Sequence, residues 1–154
     1  MQSFEEANNL CDSKPYHYPE VNICIVKNLC SVGCIKAPHD ENCLMKHFNQ
    51  AIESILLNEQ LSIIGDMKHG LVKNNILTDP YILDIDLDYF HTRQAIKPHN
   101  PTTFYSLIKK AEAITIATEP EYINEWAQIY KYDTQLNAEM LFNDLKDHIY
   151  NALC

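Results

Sequence analysis

Three aspartates in alternation, Asp84-Ile85-Asp86-Leu87-Asp88, close an apolar run that begins at Tyr81. A strand sends alternate residues to one side, so the three carboxylates share a face if the strand continues through them. Carboxylates at that spacing repel each other and lose hydration when buried. A divalent cation is the simplest charge to offset that cost. Hard oxygen donors suit Mg, Mn or Ca, and Zn becomes possible where a histidine joins. The plainer reading is that Asp86 and Asp88 cap turns or helix N-termini in solvent, which suits Asp88 better than Asp84.

A second set of possible ligands lies upstream. Cys30-x3-Cys34 is followed by Cys43-x3-His47, with His39 between the pairs. Zinc sites use ligand pairs at similar spacing. Here the gap between pairs is short, and Cys43 and His47 fall on an expected helix that also needs a core face. That weighs against a structural zinc and favours cysteine as a small buried hydrophobe. No EF-hand fits the aspartates, because Tyr89 stands where glycine is needed and Ala95 where glutamate is needed.

Composition narrows the function classes. The chain has 154 residues, 46% of them hydrophobic, which suits a single domain with a sizeable core. Only three glycines are present, and neither a GxGxxG nor a P-loop pattern occurs. Lys and Arg total 12 against 21 Asp and Glu, a net charge of -9. Such a balance disfavours nucleic acid and anionic membranes as partners and favours cations, including metals and Arg-rich peptides. No apolar run reaches the length of a membrane span, and Met1–Asn9 does not read as a signal peptide. A cytoplasmic setting with reduced cysteines is the expectation.

The elements that must position the aspartates follow from periodicity and turn chemistry. Residues 1–20 read as loop and 21–27 as a strand. Asp40 is an N-cap candidate for a helix over about 41–58, with Leu44, Phe48, Ile52, Ile55 and Leu56 at helical spacing. Leu61–Ile64 reads as a short strand stopped by Gly65, and 65–80 as exposed turns. Tyr81–Leu87 is the clearest strand. A helix opens near Asn100-Pro101-Thr102 and runs to about Glu112, and Ala113–Ala117 is a buried strand. Thr118 and Glu121 have capping-box spacing for a further helix, with Pro120 in its first turn. Thr134 opens the last helix, with Leu136, Met140, Leu145, Ile149 and Leu153 on one face. This order predicts an α/β domain over 1–154, with a parallel sheet covered by helices on both faces. The loop at 91–103, past a strand end, is where such sheets carry ligand sites.

Two blocks also carry a resemblance. Pro80-Tyr81-Ile82-Leu83-Asp84-Ile85-Asp86-Leu87-Asp88-Tyr89-Phe90, followed by Phe104–Ile108 and Ala113–Thr118, resembles the peptide-arginase family of the arginase/deacetylase superfamily. The match covers about residues 76–125 and corresponds to the C-terminal half of that domain. It implies a three-layer α/β fold with a two-metal site, usually manganese, at the strand ends. It implies hydrolysis of peptide arginine to ornithine and urea, with Asp84 and Asp86 as metal ligands. A glutamate after the next strand, here Glu119, would meet the guanidinium. Asp88 would steer or deprotonate the attacking water, and His91 or His99 could pass a proton to the leaving amine.

The family's upstream Asp-x-His-x-Asp strand end has no counterpart here. The nearest residues are His17, His39-Asp40 and Asp66-x-x-His69, none at that spacing. The resemblance therefore implies an incomplete site. Two other readings use the same residues: a non-catalytic relative acting as a binding protein, and a metal-dependent transferase using Asp84-x-Asp86 to hold a metal–phosphate substrate.

Overall fold

A computed structural model describes residues 16–18, 23–26 and 41–154. Strands β1 (Tyr16–Tyr18) and β2 (Ile23–Ile25) pair antiparallel, with His17 opposite Cys24. β2 falls inside the strand expected at 21–27. β1 lies in a stretch read as loop, because three residues between Pro15 and Pro19 are too few to show a period of two.

The helix expected over 41–58 is two helices. α1 (Glu41–Phe48) ends in a turn, and α2 (Ser54–Met67) takes in Leu61–Ile64, which was expected to be a strand. The break is made by distant partners. Glu53 accepts the backbone N–H groups of His99 and Asn100, at 2.6 and 3.1 Å. The Ser54 hydroxyl donates to the Asn100 carbonyl and accepts from the Thr103 N–H. Gly65 does not stop α2. A Cβ there would lie 3.2 Å from the Val72 Cβ, so the missing side chain lets helix and strand approach closely.

The turn-rich segment holds a hairpin of β3 (Val72–Lys73) and β4 (Ile76–Leu77). Its two linking residues, Asn74 and Asn75, both have left-handed φ, 53° and 58°, as a type I′ turn requires.

β5 (Ile82–Asp86) leads into a 3₁₀ turn at Leu87–Tyr89. α3 (Thr102–Lys110) then crosses to β6 (Ala113–Ala117), which runs parallel to β5 with Ile82 opposite Ala113 and Asp86 opposite Ala117. The Glu112 N–H donates to the Tyr81 carbonyl just before the ladder, and the Tyr81 hydroxyl donates to the Leu107 carbonyl of α3. α4 (Pro120–Glu125) continues as a π-helical stretch over Trp126–Tyr130, which ends at Lys131 with φ 56°. The capping box expected at Thr118 and Glu121 is not formed: the N-cap is Glu119, and no side chain bonds the first turn. α5 (Ala138–Leu153) is capped by Asn137, not Thr134, with the Asn137 side-chain Oδ1 accepting the Met140 N–H.

The core gathers Ile85, Leu87, Phe90, Ile96, Ile108, Ile123, Leu141 and Leu145. Each side chain of this size contributes about 1.5–3 kcal/mol when fully buried. Leu136 and Leu145 are buried as expected, and Met140 and Ile149 pack at the margin, but Leu153 is exposed near the chain end. His148 ties α5 to the loop after β5. Its Nε2 lies 2.7 Å from the Ile96 carbonyl and must donate there, which leaves Nδ1 to accept from the Tyr105 hydroxyl.

The described residues thus mix helix and strand and include a parallel pair, as an α/β chain should. A covering of helices on both faces is not shown among the described residues. Among the described residues β5 pairs with β6 alone, so both are edge strands rather than central ones. Ile85 points into the core, while Ile82, Asp84 and Asp86 alternate outward to an exposed face. No described helix is long and apolar enough to cross a membrane.

Candidate metal centre

Two parallel strands end side by side, and the chain leaves each with a carboxylate. β5 ends at Asp86 itself. The 3₁₀ turn then brings Asp88 back beside it, fixed from below by Leu87, which is fully buried. The Asp88 N–H points to an Asp86 carboxylate oxygen at 3.4 Å, a long contact that favours the turn. β6 ends at Ala117, and Glu119 follows two residues on. Carboxylate oxygens of Asp86, Asp88 and Glu119 all lie within 4.8 Å of one another. Asp86 and Glu119 are exposed and Asp88 is half-buried.

The electrostatics are those of like charges held together. Burial pushes the Asp88 carboxyl up to about 6, and the neighbouring Asp86 and then Glu119 add to the shift. The two ion pairs found among the described residues, Arg93–Asp133 and Lys97–Asp144, involve none of the three. Three oxygen donors on one side of a small volume fit a hard divalent cation that keeps waters in its remaining positions. The set contains no nitrogen or sulfur donor, which disfavours zinc.

Asp84 stands apart from the three. It sits on the same exposed face, but two residues back along the strand, about 6.6 Å at about 3.3 Å per residue. Its carboxylate accepts the Thr115 hydroxyl, and Thr115 is its cross-strand partner in β6. The geometry therefore groups Asp86 with Asp88 and Glu119, not the expected pair Asp84 and Asp86. Glu119, expected to meet substrate, is equally placed to hold metal.

His91 is drawn elsewhere. Its ring lies 4.1 Å from Phe48 edge to face and 4.0 Å from Trp126, whose ring neighbours Tyr130 and Tyr132. Burial, and then the charge of His47, lower the His91 pKa to about 4. At neutral pH the imidazole is uncharged, which argues against its passing a proton to a leaving amine. His99 is exposed, on the loop that Glu53 holds through backbone amides. Cys30, Cys34 and His39 lie outside the described residues. Cys43 is buried on α1, and His69 is exposed in the turn after α2.

Sequence reasoning missed the Thr115 contact and the aromatic surroundings of His91. The first was findable, because pairing two parallel strands that each run five residues places Thr115 opposite Asp84. The second joins residues from three separate segments and leaves no periodic signal.

No family model matches the chain, and neither does any curated protein or solved structure with which it was compared.

Proposed function

We propose that this chain carries part of the active site of an arginase-like, metal-dependent hydrolase acting on guanidino groups, with peptide arginine as the substrate class. The observation that carries the reading is the convergence of Asp86, Asp88 and Glu119 at the C-terminal ends of two adjacent parallel strands. The resemblance of residues 76–125 to the peptide-arginase family supports the same assignment. In the three-layer α/β fold that the resemblance implies, β5, α3 and β6 would form one repeating unit.

Asp86 and Asp88 would hold a divalent ion, manganese on the family's pattern, with Glu119 as third ligand or as the carboxylate facing the guanidinium. When bound, such an ion makes a water acidic enough to act as a nucleophile near neutral pH. The chain's own residues do the rest. Asp84, oriented by Thr115, adds negative charge along the approach of a cationic substrate. Asp88 would serve as a ligand or, where Glu119 takes that place, would accept a proton from the attacking water. Three carboxylates are too few to fix two ions about 3.5–4 Å apart, so the remaining ligands would come from a segment not matched here.

The test is the melting temperature of the purified chain under Mn titration, alongside urea release from an arginine-containing peptide. Manganese at about a hundredfold over its dissociation constant should stabilise the fold by about 2.7 kcal/mol, and Asp86→Asn should abolish the rise. Urea release by this chain alone should be negligible. A melting temperature indifferent to Mn would refute the metal reading, and brisk urea release would refute the incomplete site.

A further inference from the structure

β5 has two edges; among the described residues β6 covers one of them and no strand pairs with the other. The other borders a cavity of about 320 Å³ whose lining includes four consecutive residues, Leu83, Asp84, Ile85 and Asp86. Consecutive strand residues point to opposite faces, so a single cavity touches all four only by running along the strand's edge. No residue of β6 lines it, which places it on the edge away from β6. Its inner wall is apolar, built by Ile52, Leu57, Phe104 and Leu107. Alternate backbone amides along β5 face that edge, and those between them face β6.

An uncovered edge beside an apolar slot is a template for a further strand. The charge around it selects the occupant. Asp84 and Asp86 stand on the exposed face, Asp88 and Glu119 lie just beyond the strand end, and the chain carries a net charge of -9. A second copy would set aspartate against aspartate, and like charges opposite one another in a ladder are destabilising. We propose that the free edge of β5 accepts an extended basic peptide segment as an added strand. Its alternate residues would be apolar and seat in the slot against Leu57 and Leu107. The residues between them, Lys or Arg, would lie beside Asp84 and Asp86, where cross-strand opposite charges attract. The inference goes beyond the hydrolase reading: strand addition needs neither metal nor turnover, although an arginine so placed would lie beside the same carboxylates.

The experiment uses the whole chain in EDTA and a fluorescein-labelled seven-residue peptide of alternating leucine and arginine, read by fluorescence anisotropy. Three controls change only the peptide, so the fold of the protein is not at risk. N-methylation of alternate backbone amides removes strand pairing, leucine to glycine removes the slot contacts, and arginine to glutamate reverses the charge. The parent peptide should bind, and each control should weaken binding at least tenfold. Binding should also weaken as salt is raised. In amide exchange by NMR, the alternate β5 amides that do not pair with β6 should gain protection on binding, while those already bonded to β6 should not. Equal binding of the N-methylated peptide, or protection gained elsewhere, would overturn strand addition. So would failure of the parent peptide to bind, including the case in which every β5 amide is already protected in the chain alone. Peptide binding without any Mn effect on melting would leave this inference standing and remove the hydrolase reading.

Discussion

Two aspartates in the same chain meet opposite fates. Asp133 is satisfied on every side: it accepts the Arg93 backbone N–H at 3.0 Å, the Arg93 Nε at 2.9 Å, and the Gln135 N–H at 3.2 Å. Although partial burial opposes the shift, these bonds and the Arg93 charge hold its carboxyl below the usual range. Asp88, by contrast, faces two more carboxylates and is pushed up to about 6. The first carboxylate secures a loop, joining residues 93 and 133 across forty positions of sequence. The second is held in place by the hydrophobic residue beside it, against its own electrostatics. A carboxylate crowded by others of its kind is a candidate site for a cation, whereas a saturated one marks a joint.

The contrast can be tested from the scaffold outward. Leu87→Ala removes the fully buried side chain under the 3₁₀ turn and should cost about 2–5 kcal/mol in chemical denaturation. If the turn holds Asp88 in the cluster, the same variant should also weaken the Mn-induced rise in melting temperature. An undiminished rise would show that the cluster forms without its support.

Asp133→Asn should destabilise by about 1–3 kcal/mol, since it removes the charge that Arg93 and two backbone amides address. The smallest effect has the opposite sign. Asp88→Asn should stabilise the chain at pH 7 by about 1 kcal/mol or less, after solvent screening of a half-exposed group. A loss of stability there would mean that Asp88 has a partner the comparison denies it.

The pH profile separates the two residues. For Asp88 the folded carboxyl lies near 6, above its ordinary 3.8, so the folded state is penalised at neutral pH. That penalty lifts as pH falls from about 6 to about 4. For Asp133 the folded value lies below 3.8, so its contribution is present above that pH and is lost as pH falls further. Stability should therefore rise on mild acidification and fall below about pH 4. Asp88→Asn should flatten the upper limb alone.

The strand pair and the crossover helix were legible because their signals are local. Ile82–Asp86 and Ala113–Ala117 are apolar runs of strand length, and Asn100-Pro101 punctuates the start of α3. Leu61–Ile64 was not, because four apolar residues fit a strand or a buried helical turn equally well. The break between α1 and α2 depends on Glu53 and Ser54 bonding partners forty-six residues away, which no window along the chain can contain. The carboxylate site was legible in part. Alternation predicted that Asp84 and Asp86 share a face, and they do. It assumed that the strand continues through Asp88, whereas the turn at Leu87 swings Asp88 toward Glu119 and leaves Asp84 behind.

β5 and β6 are neighbours joined directly through α3, and this bears on folding kinetics. Asp86 and Asp88 meet Glu119 only when that one connection closes, bringing together residues 86 and 119. Their repulsion therefore opposes the closure of that one connection. Pairing parallel strands across such a separation is a non-local and intrinsically slow step, and the charge cluster adds its repulsion to that step. A cation that binds there would act on the speed of that stage as well as on the endpoint.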